Sequence, residues 1–143
     1  MTTEKNTYCK CLYYSANALA RIITKIAEEE FAVVNLAPSY AFILMSVIKN
    51  PGIQAGELAK IMMLKPSTVT RLVDKLIEQE LLKKHTEGRT TFIYATAKAV
   101  EINEQIKAAW FKIYNRYTDV LGEAFANELT GNIYQSAIKL EQK

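Results

Sequence analysis

The chain has 143 residues, of which 50% are hydrophobic and 23% charged, with a net charge of +3. Such a composition suits one globular domain with its own core and excludes a disordered chain. Two cysteines are too few and too close together for a disulfide framework, and the basic excess is too mild to demand a polyanionic partner by itself.

Where the charge sits says more. Between Lys60 and Arg89 stand Lys60, Lys65, Arg71, Lys75, Lys83, Lys84 and Arg89, opposed by Asp74, Glu78, Glu80 and Glu87. Seven against four is +3, so this one stretch carries an excess equal to that of the whole chain. Glu4 and Lys5 open a polar start with no apolar run behind it, so no secretory signal is visible and the chain reads as cytoplasmic. Residues 31–48 hold no charge over 18 positions, close to a membrane span. Asn35, Pro38, Ser39 and Tyr40 interrupt that run, so it reads as a loop between two buried helix ends, with no membrane partner.

In chain order, Leu12, Ala16, Leu19, Ile23 and Ile26 recur at four and three residues, which predicts an amphipathic helix over 8–30. Asn35 to Pro38 breaks it. Ser39 to Lys49 forms a second, strongly apolar helix, stopped by Asn50-Pro51-Gly52. Ile53 and Gln54 suggest a short strand. Ala55 to Met63 is a short helix with Leu58, Ala59, Ile61 and Met62 turned inward. A further helix runs from Pro66 to about Glu80. Leu81 to Thr86 and Thr90 to Ala95 read as two strands around Glu87-Gly88-Arg89, a hairpin signal. Thr96 is placed to cap a long helix reaching Leu121, with Ile102, Ile106, Ala109, Ile113, Tyr117 and Val120 as its stripe. After Gly122 a last helix carries Phe125, Leu129, Ile133, Ala137 and Leu140.

The helix from Pro66 holds two patterns. Val69, Leu72, Val73, Leu76 and Ile77 form one apolar stripe, and Pro66 suits a first helical turn. Ser67, Thr68, Thr70, Arg71 and Lys75 fall on the other side, which has the hydroxyls and cations that meet phosphates and base edges. The plainer alternative is a surface helix whose Ser and Thr only cap its start. A compact helix pair followed by a two-stranded hairpin is the winged helix-turn-helix arrangement. The fold expected is therefore mainly α with a small β-hairpin wing, one domain over 1–143. Its reading module spans 38–96, and 8–30 and 97–141 are long helices whose stripes need a second copy.

The chain resembles the MarR (multiple antibiotic resistance regulator) family of bacterial transcription factors. The resemblance rests on Gly56-Glu57-Leu58-Ala59, Pro66 to Leu76, Leu81-Leu82-Lys83-Lys84 and Glu87-Gly88-Arg89. It departs in three places. Glu87 stands where the family usually has Asp, leaving the usual ion pair within the wing open. Ala99 replaces a frequent Gly, and Ala37 stands where peroxide-sensing relatives have Tyr before the Pro.

The resemblance implies a homodimeric regulator, most simply a repressor, on an inverted repeat of double-stranded DNA. The second helix of a helix-turn-helix meets base edges with its N-terminal residues, here Ser67, Thr68, Thr70 and Arg71. Lys65, Lys75, Lys83 and Lys84 would touch phosphates, and Arg89 would lie along the minor groove. The resemblance further implies a small aromatic effector, with Tyr8, Tyr14, Tyr40, Phe42 and Trp110 as lining candidates against the plain reading that they are core. A redox trigger through Cys9 near a helix start is a rival to that effector, and a protein–protein winged helix without DNA contact is a rival to the whole reading. The sequence shows no nucleophile–base pair, no metal cluster with its single His85, and no Gly-rich phosphate loop, so neither catalysis, cofactor nor metal is expected.

Overall fold

The computed structural model describes residues 5–142. Six helices and a small antiparallel sheet follow the expected order. α1 spans Leu12–Phe31 and passes into a 3₁₀ turn, Ala32–Val34, closed by Asn35 at φ 57. Asn tolerates this left-handed conformation better than most residues. α2 is Pro38–Lys49, with Pro38 at its first turn, where a missing N–H goes unfelt. β1 is Ile53–Gln54, α3 Ala55–Met62, α4 Pro66–Glu78, β2 Leu82–Glu87 and β3 Thr90–Ala95. α5 runs Ala97–Leu121 and α6 Glu123–Glu141. The sheet order is β1-β3-β2, with Ile53 opposite Ile93 and Leu82 opposite Ala95.

The helix-turn-helix and hairpin unit closes on the apolar faces its sequence supplies. Val69, Leu72, Val73 and Leu76 of α4 are buried, as are Leu58 and Ala59 of α3 and Ala41, Ile43, Leu44 and Val47 of α2. Phe31 at the end of α1 joins them, edge-on to Phe42 at 5.8 Å between ring centres. No single helix among the described residues is long and apolar enough to cross a membrane. Only the pair α1–α2, bent by 63°, passes on length and composition together, and α2 spends its apolar side on the core.

Several element ends differ from the sequence expectation. α1 begins at Leu12 instead of residue 8. Asn6 Oδ1 accepts the Tyr8 N–H at 2.9 Å, and the Cys11 N–H donates to the Tyr8 carbonyl at 2.9 Å, so residues 6–11 form turns. Asn side chains of this kind compete with a helix for the backbone. α4 stops at Glu78, short of Glu80. The Leu81 N–H reaches back to Leu76 and the Glu80 N–H to Ile77, while Glu80 takes φ 61. This is the Schellman ending that glycine usually provides, here made by a Glu and therefore unmarked in the sequence. α3 ends in the same way at Met63, φ 56. In the hairpin Glu87 pairs with Thr90, leaving a two-residue turn, Gly88-Arg89, with Gly88 at φ 60.

Thr96 caps α5 as expected, its Oγ1 accepting the Ala99 N–H at 3.3 Å. The same hydroxyl donates to the Glu80 carbonyl at 2.7 Å, and Lys98 Nζ donates to the Gln79 carbonyl at 3.1 Å. The first turn of α5 thus satisfies the carbonyl end of α4, which ties the two helices mechanically.

Outside the module the chain leaves apolar surface uncovered. α6 buries only Ala126, and α1 only Ala27 and Phe31. Leu12, Tyr13, Ile22, Phe125, Ile133, Tyr134 and Leu140 are all at least half exposed. Val120, expected on the inner stripe of α5, is 83% exposed. An apolar groove of about 420 Å³ lies between α1, α5 and α6, with Leu19, Ile23, Tyr117, Leu129 and Ile133 in its walls.

Candidate nucleic-acid interface

The N-terminal half of α4 stands clear of the rest of the chain. Ser67, Thr70 and Arg71 are exposed and Thr68 is half-buried. Lys65 occupies the N-cap position, and no side chain caps the helix, so Ser67 and Thr68 are not spent on that task. The first-turn N–H groups and the hydroxyls beside them remain open to an anion. Arg71 makes no hydrogen bond or ion pair among the described residues, while its neighbours Leu72 and Val73 are buried. Lys75 continues the exposed side one turn further on.

The hairpin divides the remaining cations. Side chains alternate along a strand, so Lys84 and Lys83 leave β2 on opposite faces. Lys84 turns to α4, where its Nζ meets Asp74 Oδ1 at 3.3 Å, both side chains half exposed. Lys83 shares the other face with His85 and Glu87. His85 Nε2 lies 3.5 Å from Glu87 Oε2. Glu87 therefore faces His85, two residues along the same strand face, and Arg89 at the turn has no ion-pair partner among the described residues. The pair within the wing that the sequence left open, Glu87 with Arg89, does not form among the described residues; Glu87 lies beside His85 instead. The Lys84–Asp74 contact, ten residues apart in the chain, was not visible in the sequence.

The aromatic candidates do not converge on one crevice. Tyr8 and Tyr14 pack together at 5.5 Å, and Asn6 Nδ2 donates to the Tyr14 hydroxyl at 3.0 Å. Phe42 and Trp110 meet edge to face at 5.9 Å on a separate cavity between α2 and α5. Tyr40 is half-buried and packs against the core. The physical reason is the late start of α1: residues 6–11 turn on themselves and hold Tyr8 against Tyr14. Cys9 and Cys11 are exposed free thiols that precede the helix instead of riding in it.

Two further contacts join the long helices. Arg116 of α5 donates from Nη1 to Glu29 Oε1 at 2.9 Å and Glu30 Oε2 at 3.1 Å, and these bonds raise its pKa. The Tyr114 hydroxyl donates to Glu123 Oε2 at 3.0 Å, and that bond is the first cause holding its pKa above the ordinary phenol value. Arg116 is exposed and Tyr114 only half-buried, so each contact fixes geometry more than it adds stability.

Residues 34–90 match the model of the MarR family. No curated protein matches the sequence. Among solved structures, the transcriptional repressor CouR bound to a 23-mer DNA duplex superposes with a TM-score of 0.84 at 18% identity, over 96% of this chain and 98% of that one. A mutant of MarR from E. coli complexed with operator DNA gives 0.81 at 14% identity, over 92% and 99%. CouR from Rhodococcus jostii RHA1 bound to p-coumaroyl-CoA gives 0.80 at 18%, over 93% and 96%. At such identities the likeness is one of fold.

Proposed function

We propose that the chain is a MarR-family transcriptional regulator that works as a homodimer, most simply a repressor, on an inverted repeat of double-stranded DNA. The single observation that carries this reading is the outer side of α4. Thr70 and Arg71 are exposed and make no hydrogen bond or ion pair among the described residues, although Val69, Leu72, Val73 and Leu76 of the same helix are buried in the core. Residues 38–96 form the reading module, and 8–30 with 97–141 supply the shared bundle. Thr70 and Arg71 read base edges; Ser67 and Thr68 stand beside them at the helix start. Lys65, Lys75 and Lys83 hold phosphates, and Arg89 follows the minor groove. Lys84 contributes less, since Asp74 already neutralises it. A small aromatic effector would act by preferring one spacing of the two reading helices, because equal affinity for both spacings shifts nothing.

Salt titration of duplex binding tests the assignment. Lys65→Ala, Lys75→Ala and Lys83→Ala each weaken specific and random duplex alike and each lower the slope of log K against log salt by about 1. Lys84→Ala changes the slope by less. No affinity for bulk duplex at low salt would favour a winged helix that docks another protein.

A further inference from the structure

Three successive carbonyls follow the end of α4, and the start of α5 takes up all of them. The Gln79 carbonyl accepts from Lys98 Nζ at 3.1 Å, the Glu80 carbonyl from the Thr96 hydroxyl at 2.7 Å, and the Leu81 carbonyl from the Thr96 N–H at 3.1 Å. At the centre of this joint Glu80 holds φ 61. Left-handed backbone costs a residue that carries a Cβ, and it persists only where the surroundings over-determine it. Thr96 is half-buried and also caps α5, whereas Lys98 is exposed. α5 touches α2 as well, where Phe42 meets Trp110 edge to face. Apolar packing of that kind has no preferred direction, while a hydrogen bond weakens steeply as it bends.

We propose that Thr96 and Lys98 are positioning residues: they set the angle at which α5 carries α4, and through it the separation of DNA half-sites that the dimer accepts. The second half of this statement rests on the regulator reading; the first does not. The lever is long. Ser67 and Arg71 stand 12 and 8 residues before Gln79, roughly 18 and 12 Å at the helical rise. A swing of about 10° at the joint carries them roughly 2–3 Å, close to the rise of one base pair, about 3.4 Å. Two-fold symmetry repeats the swing in the twin, so a loose joint blurs the accepted separation by about a base pair or more. Neither side chain needs to touch DNA for this.

Thr96→Val keeps the side chain's shape and Lys98→Met its length, and each removes the donor; Lys98→Met leaves the cap of α5 intact. Nitroxides at Ser67→Cys and Lys112→Cys, in a Cys9→Ser, Cys11→Ser background diluted with unlabelled protein, report the distance from α4 to α5 within one chain. That distribution is narrow in the parent and broadens by several ångströms when both donors are gone. On inverted repeats that differ only in the separation of their halves, the parent loses about tenfold or more in affinity for one base pair added or removed, and the double variant less than about threefold. Thr96→Ser and Lys98→Arg, which retain the donors, behave as the parent in both measurements. A salt slope lower by about 1 in Lys98→Met makes Lys98 a phosphate contact and removes it from the joint. Residues that only stabilised the fold would lower the melting midpoint and weaken every separation alike. That result overturns the proposal, as does an unchanged distance distribution. A parent that binds no duplex sinks the regulator reading, while broadened distances in the variants leave the joint standing.

Discussion

The double variant Phe125→Lys, Ile133→Lys is expected to sediment as a single 16.2 kDa chain that keeps its helical content but loses about 10²- to 10⁴-fold in affinity for a two-half-site duplex. The two side chains are 58% and 50% exposed and lie eight residues apart on one stripe of α6. In one chain Phe125 faces water and Ile133 lines an apolar groove of about 420 Å³, so lysines there cost the isolated fold little. In the proposed dimer each patch meets apolar surface of its twin across a two-fold axis, and the same lysines become buried and unpaired, which such a dimer does not withstand. Loss of the second reading head then removes its effective concentration at the neighbouring half-site. Unaltered mass and unaltered DNA affinity would show that the bare faces of α1 and α6 are not the interface.

Arg71→Ala is expected to cost on the order of 1–3 kcal/mol per half-site on the specific duplex and clearly less on random duplex. The fold should not notice, because Arg71 is exposed and makes no hydrogen bond or ion pair among the described residues; its melting midpoint stays where the parent's is. Arg71→Lys separates the two roles an arginine can take. A lysine keeps a point charge for phosphate but cannot fork onto the two acceptors of a guanine. Specific binding that survives Arg71→Lys, or an equal loss on both duplexes, makes Arg71 a phosphate contact and leaves Thr70 to read the sequence.

Much of the module was legible because each of its helices spends one face on the core. Val69, Leu72, Val73 and Leu76 announce α4 by spacing alone, and all four are buried. Pro38, Pro66 and Thr96 mark helix starts by chemistry that leaves few alternatives, and the structure uses each there. Helix ends were harder. Met63 and Glu80 take left-handed backbone that glycine would have advertised, so α4 seemed to run to Glu80. The late start of α1 turned on one Asn6 side chain.

The site was legible wherever a single helix presents it and obscure wherever two elements meet. Ser67, Thr70 and Arg71 needed only helical periodicity. Lys83 and Lys84 read as equal neighbours, yet strand alternation sends one to Asp74 and the other to the His85 face. Arg116 reaches Glu29 and Glu30 from nearly ninety residues away, a pairing no local pattern encodes. Tyr8 and Trp110 seemed to be candidates for one crevice, although they line different ones.

Everything rests on two copies of α4 being held wet and symmetric by a bundle that neither chain completes alone. Enrichment of bound duplexes from a random pool tests this most directly. The account predicts an inverted repeat whose half-site centres lie about 10 bp apart or a multiple of it. A single unpaired half-site, or a pool that emerges as random as it began, would contradict it.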